Sequence, residues 1–357
     1  MFIVGFVRLM RMKRLFRRSR LLTDPTTIAD LPSVSVCIPA RNEGHAMTDS
    51  LDRIIASTYP KLETIVLDDQ SGDETSSLIK AFAHDGVRFV EGSPLRGGWI
   101  GKNHSLNELL KEASGTYILY MDVDTRISPN TIEQLVAYAL QEKAAMVSVL
   151  PRREDGVRLS TLFSSLRYLW ELLFHSKQRP AVASSAWLIH RESFIAQFTD
   201  FTSFSTVIQP EAAIARIWAL EGRYRFLIGT SLLGVSYEKK WSSQRDTSIR
   251  LLFPLLGKRP LHALVAILDL LLLVSPVMLS LLTGDTQLGL SIYVLGAIFF
   301  ASYYYQVWRR GAFIGGLLWP IVILQEAYFV FLSMVHYLQG TVTWKGRPVE
   351  VSSSKVQ

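Results

Sequence analysis

"SVSVCIPARNE" (residues 33–43) is the stretch on which the fold turns. As far as Pro39 it is apolar and β-branched, the pattern of a strand covered on both faces. It then turns polar within two residues. The same change recurs where "LETIVLDD" (62–69) runs into "DDQSGDE" and where "GTYILYMD" (115–122) runs into "DVDTR". Helical patterns at 43–57, 74–84 and 102–113 separate the three. Strands alternating with amphipathic helices predict an α/β chain with a parallel sheet covered on both faces. Such sheets take their ligands beyond the carboxyl ends of the strands, so the three polar tips are expected along one edge.

Each tip has its own chemistry. In "DDQSGDE", Ser71 and Glu74 are spaced as a capping box for the next helix, and Gly72 suits the turn. Asp68 and Asp69 repel each other unless a cation or a donor lies nearby. In "GGWIGKNHSLNELL" (97–110), three glycines precede Lys102 at a predicted helix start. This is not a Walker A loop, because Arg96 stands where its first glycine belongs and Asn103 follows the lysine. A helix N-terminus with a lysine still attracts phosphate. In "LYMDVDTRIS" (119–128), strand alternation would put Asp122 and Asp124 on one side and Val123 on the other. Two such carboxylates suit a hard divalent cation, Mg²⁺ or Mn²⁺, whose shell substrate phosphates complete. The competing reading is a helix-capping acid beside a surface acid.

The chain has 357 residues, a net charge of +7 and 49% apolar residues, unevenly spread. Its one cysteine, Cys37, excludes a disulfide framework and a cysteine metal cage, and reads as a small buried hydrophobe. "MFIVGFVRLMRMKRLFRRSR" (1–20) places seven basic residues after a short apolar run, the reverse of a secretory signal. The segment suits an interfacial helix against anionic lipid; a disordered basic arm or a nucleic-acid tail is the alternative. No stacking or base-reading element accompanies those charges, so no nucleic-acid partner is expected.

Three segments, 261–283, 288–308 and 311–338, approach or exceed the ~20 residues that cross a bilayer. Lys258 and Arg259 precede the first and Arg309 and Arg310 follow the second, while the intervening "GDTQ" has no Lys or Arg. Positive-inside counting then puts residues 1–260 in the cytoplasm. Lys345 and Arg347 in the tail oppose a third complete crossing, and a re-entrant segment broken near Pro320 would remove the conflict. The expected organisation is a basic interfacial segment (1–32), an α/β domain (33–245), an interfacial helix (246–260), a transmembrane region of about three helices (261–345) and a tail (346–357). Gln325 and Glu326 are polar residues inside the third span, where such residues are costly and often functional.

Taken together, "VSVCIPARNE", "IVLDDQSGDET", "GKNHSLN" and "ILYMDVDTR" resemble a family-2 glycosyltransferase with the GT-A fold. "GWIGKN", the late spans and the closing "WKGR" are similar to the membrane-bound branch that glycosylates ceramide, hopanoid or carotenoid lipids. The resemblance implies a nucleotide-sugar pocket formed by Pro39, Ala40, Arg41, Glu43, Asp69, Lys102 and Asp122, with Asp69 reading the base edge. It makes Asp122 and Asp124 the DxD pair, Asp124 being the direct ligand of Mg²⁺ or Mn²⁺. Glu211, in "QPEAAIARIWALEGRYRF" (209–226), falls where the family has its catalytic aspartate, although Pro210 replaces the preceding acid. The ordered "QxxRW" motif is absent. Trp241, Gln244 and Arg245 of "KKWSSQRD" stand in for it as acceptor or diphosphate contacts, and the chain looks less like a processive synthase. The implied reaction is inverting transfer from a nucleotide sugar, a UDP-sugar ahead of a GDP-sugar, to a hydroxyl of a membrane lipid. Polyprenyl-phosphate glycosylation and polysaccharide assembly are the alternatives.

Overall fold

The computed structural model describes residues 10–12, 14, 31–154, 166–238, 241–284 and 286–349. Most of the basic N-terminal segment and the end of the tail lie outside them. Two compact units divide the chain. Of the described residues, those up to Arg152 and Glu171–Tyr237 form one, and those within Arg153–Trp170 and from Glu238 to Val349 form the other.

The first unit is built on a seven-stranded sheet. Its strands are β1 (Val34–Ala40), β2 (Leu62–Asp68), β3 (Val87–Glu91), β4 (Tyr117–Met121), β5 (Met146–Leu150), β6 (Ala186–His190) and β7 (Tyr224–Ile228), in the order β3-β2-β1-β4-β6-β5-β7. Helices α1 (Gly44–Ile55), α2 (Thr75–Ala81) and α3 (Gly101–Glu112) lie where the sequence predicts them, and α4 (Thr131–Gln141), which it did not announce, follows β4. The side chains of β4 and β5 are buried along their whole length, which is why their apolar runs show no alternation. Cys37 is fully buried in β1, and that burial pushes its thiol far above the usual range, leaving it inert.

The sheet is mixed where a parallel one was expected. β6 runs antiparallel to both β4 and β5. Because β5 and β7 are parallel to each other and reversed relative to β6, six of the seven strands still point one way. β1, β2 and β4 are adjacent and parallel, so Ala40, Asp68 and Met121 end on the same edge. β3, β5, β6 and β7 went unread in the sequence. All four are five-residue strands, too short for periodicity to separate them from loops.

In the second unit, α5 (Trp241–Leu255), α6 (Pro260–Thr283) and α7 (Thr286–Val307) precede a short helix, α8 (Ala312–Leu317), and a long one, α9 (Trp319–Leu338). The third apolar segment is thus broken at Leu318, with Pro320 in the first turn of α9. Helices α6, α7 and α9 are each long and apolar enough to cross a membrane. Leu264, Leu268, Leu272 and Leu279 of α6 are all more than half exposed, as on a face that meets lipid rather than water.

Pro254, inside α5, has no N–H to give the Arg250 carbonyl. The Tyr337 hydroxyl of α9 donates to that carbonyl at 2.6 Å instead. One position earlier, the Ser333 hydroxyl inserts into the ladder, accepting from Phe253 N–H at 2.9 Å and donating to Ile249 C=O at 2.5 Å. Two polar groups of an apolar helix therefore satisfy a proline-broken neighbour. Glu326 is buried on α9, and its Oε2 accepts the Leu166 N–H at 3.2 Å. "WKGR" forms a hairpin turn, Thr343–Trp344 pairing with Arg347–Pro348, in which Lys345 (φ 48°) and Gly346 (φ 79°) take the left-handed conformation such two-residue turns require.

Candidate active site

The tips of β1 and β2 interlock. Asp69 N–H donates to Ala40 C=O at 2.8 Å, and Arg41 reaches across to donate to the Asp69 and Gln70 carbonyls. Asn42 and Gln70 both have positive φ, at 51° and 56°. Asparagine tolerates that region; glutamine there is strained and is held by its surroundings. The expected Ser71–Glu74 capping box is not made. The Ser71 hydroxyl donates to Asp68 and accepts from Asn42 N–H at 2.9 Å, while Asp73 takes the Thr75 N–H at 3.1 Å and its hydroxyl at 2.5 Å. Asp68 thereby becomes a structural acid, and its repulsion with Asp69 is relieved by local donors. Asp69 is 98% buried beneath the loop, at the edge where the resemblance puts the base.

At the tip of β4, Asp122, Val123 and Asp124 form a turn beyond the strand end, not a strand continuation. Burial nevertheless alternates along it. Thr125 N–H closes the turn onto Asp122 C=O at 3.0 Å, burying Val123 and leaving both aspartates partly exposed. Two groups anchor the turn. Asp122 N–H and the Thr125 hydroxyl both donate to Ser185 C=O, at 2.9 and 3.0 Å. Arg126 forms an ion pair with Asp49 of α1 at 2.7 Å.

Lys102, in the first turn of α3, places Nζ 2.7 Å from Asp122 Oδ1. Both side chains are partly exposed, at 19% and 32%, so the pair is open to an incoming anion. Glu211 starts a helix, Pro210–Leu220, with proline in the first turn. It is 98% buried, and Ser184 Oγ donates to its Oε1 at 2.5 Å. Ser184 adjoins the Ser185 that holds the Asp122 turn, because Met121 pairs with Ala186 across β4 and β6. Glu211 and the DxD turn are therefore fastened to consecutive residues of one segment.

Asn103 was missed as a functional residue and is explained by the structure. It is 99% buried, and its Nδ2 donates to the carbonyls of Phe204, Ser205 and Val207, at 2.7, 3.2 and 2.8 Å. One helical turn thus holds the loop leading to Glu211 through Asn103 and meets Asp122 through Lys102. The "KN" that ruled out a Walker loop was the available signal. Trp241, Gln244 and Arg245 lie on α5 in the second unit, where Arg245 pairs with Asp246 at 3.2 Å and lies over the Trp241 ring.

Asp122 and Asp124 offer an oxygen-only donor set. Among the described residues no cluster of three or more His, Cys, Asp or Glu could enclose a metal ion. Two carboxylates that leave most of the shell to water and phosphate fit Mg²⁺ or Mn²⁺ better than a site closed by protein.

Residues 35–205 match the Glycosyl transferase family 2 domain. Poly-beta-1,6-N-acetyl-D-glucosamine synthase of Staphylococcus epidermidis is 32% identical over 30% of this chain and 26% of its own. The 4,4'-diaponeurosporenoate glycosyltransferase of Staphylococcus aureus is 30% identical over 38% of this chain and 36% of its own. The chain therefore spans only about a quarter to a third of the curated relatives it matches. In fold it is similar to the mannosyltransferase PcManGT from Pyrobaculum calidifontis, solved with GDP-Man and Mn²⁺, with a TM-score of 0.55 and 18% identity over 94% of this chain and 97% of that one. The chain carries a glycosyl transferase family 2 domain with a GT-A architecture, followed by three helices able to cross a membrane.

Proposed function

We infer that this chain moves a sugar from a nucleotide-sugar donor, a UDP-sugar or a GDP-sugar, to a hydroxyl of a membrane lipid at the cytoplasmic face, with inversion. The observation that carries the reading is that Asp122, itself paired with Lys102, and Glu211 are held by the consecutive residues Ser185 and Ser184 that lead into β6. Pro39, Ala40, Arg41, Glu43 and Asp69 form the floor on which the nucleoside lies. Asp122 and Asp124 would hold Mg²⁺ or Mn²⁺, which when bound neutralises charge on the departing diphosphate. Lys102 adds a second positive charge there, exchanging its bond to Asp122 for phosphate oxygens. The carboxylate of Glu211, oriented by Ser184, takes the proton from the acceptor hydroxyl as that oxygen attacks the anomeric carbon. Burial of Glu211 keeps water from competing for the sugar. Holding donor and acceptor in line is worth about 7–11 kcal/mol of barrier.

The lipid acceptor is supported by the three long apolar helices and by the relative named for 4,4'-diaponeurosporenoate. Lys258 and Arg259 before the first span favour a cytoplasmic catalytic unit. Likeness to the poly-N-acetylglucosamine synthase favours a second reading, polysaccharide assembly. Membranes containing the chain, incubated with labelled UDP- and GDP-sugars, should yield a labelled product that partitions into organic solvent and carries one sugar by mass spectrometry. A water-soluble polymer would establish the second reading, and release of pyrophosphate instead of nucleoside diphosphate would exclude both.

A further inference from the structure

The geometry points to a second anion site in the first unit, on the sheet edge opposite the catalytic one, that recognises a phosphate group. A cavity of 960 Å³ opens beside Tyr224, the first residue of β7. Because β7 runs parallel to β5 and β4, that residue lies at the far end of the sheet from Asp122. Arg11, Arg14 and Lys177, all exposed, line it. Arg11 and Arg14 belong to a helical turn and lie three residues apart, hence on one face. Met12, 99% buried, fixes that turn against the unit.

Arg225 also lines the cavity, but Glu142 pairs with it at 2.7 Å. No carboxylate is among the described lining residues, and none of the described acids pairs with Arg11, Arg14 or Lys177. Three like charges lining one cavity with no counter-charge among the described lining residues repel one another, and a bound anion relieves that cost. Below them the wall is aromatic and buried, formed by Tyr138, Tyr224 and Phe226. Exposed cations beside an apolar wall suit a phosphate ester whose ester-linked part is less polar than the phosphate. Guanidinium groups bind such oxygens with paired, charge-assisted hydrogen bonds. A phospholipid headgroup and free phosphate share this chemistry, and helices able to cross a membrane would keep the headgroup abundant near this chain.

The full chain in a neutral detergent should be titrated calorimetrically with glycerophosphoglycerol, the deacylated head of an anionic phospholipid, and separately with inorganic phosphate. Saturable binding is expected, weakened roughly tenfold or more by Lys177→Glu and by the Arg11→Ala/Arg14→Ala pair. It should be unchanged in Lys102→Ala, which alters the donor site alone. Tighter binding of the ester assigns the site to lipid; equal or tighter binding of inorganic phosphate assigns it to the free ion. Lys177 is exposed, so its variant keeps the fold even if the arginine pair does not. Absence of saturable binding by either probe, or binding that survives Lys177→Glu, overturns the site.

Discussion

Two acidic strand tips that read alike in the sequence have opposite fates. In "DDQSGDE", Asp68 and Asp73 spend their oxygens on Ser71, Thr75 and Gly44 within the loops of β1 and β2. In "DVDTR", the backbone is anchored by Ser185 and the following arginine by Asp49, while Asp122 faces Lys102. What distinguishes them is where the donors come from. Serine and threonine within the first loop satisfy its acids locally; in the second, the Thr125 hydroxyl is drawn away to Ser185 C=O and Asp122 meets a lysine from α3. A paired carboxylate becomes a site only when its own loop does not consume it.

This contrast makes graded predictions. Asp124→Ala should lower sugar transfer about a hundred- to a thousandfold, with the thermal midpoint little changed. Activity retained in that variant would remove the metal role. Glu211→Gln should cost about 10²–10⁴ in kcat while donor binding, measured by nucleotide titration, persists. Asn103→Ala removes three backbone anchors of the Glu211 loop. It should cut kcat by roughly tenfold or more, because small displacements of a catalytic group are expensive, and Asn103→Asp, which supplies no donor, should not restore it.

Asp68→Ala is the converse test. It should cost about 1–3 kcal/mol of stability from unpaired loop donors while leaving transfer by the folded fraction within a few-fold; a loss as large as that of Asp124→Ala would erase the distinction between the tips. The smallest effect concerns pH. Burial raises the Asp73 carboxyl, but hydrogen bonds from Thr75 and Gly44 outweigh it and leave the group below its usual 3.8. Its contribution to stability is therefore complete above about 4 and lost as pH falls through the depressed value. Asp73→Asn should flatten the acid limb of the thermal midpoint below about pH 4.

The sequence alone fixed the three strand–tip junctions, because a strand buried on both faces must read as an unbroken apolar run and its end must turn polar. The apolar lengths of the late helices were fixed in the same way, since a bilayer sets that dimension without reference to the rest of the chain. Which partners the acids of the third tip and the helix at Pro210 would meet depended on residues far along the chain. Ser185 meets Asp122, Ser184 meets Glu211 and Asn103 meets Phe204–Val207 only because β6 inserts antiparallel beside β4, a pairing with no local periodicity to announce it. Local patterns specify burial, which each residue experiences separately; hydrogen-bond allocation among distant loops is decided by tertiary packing, because a donor's partner is whichever acceptor the fold brings within 3 Å or so.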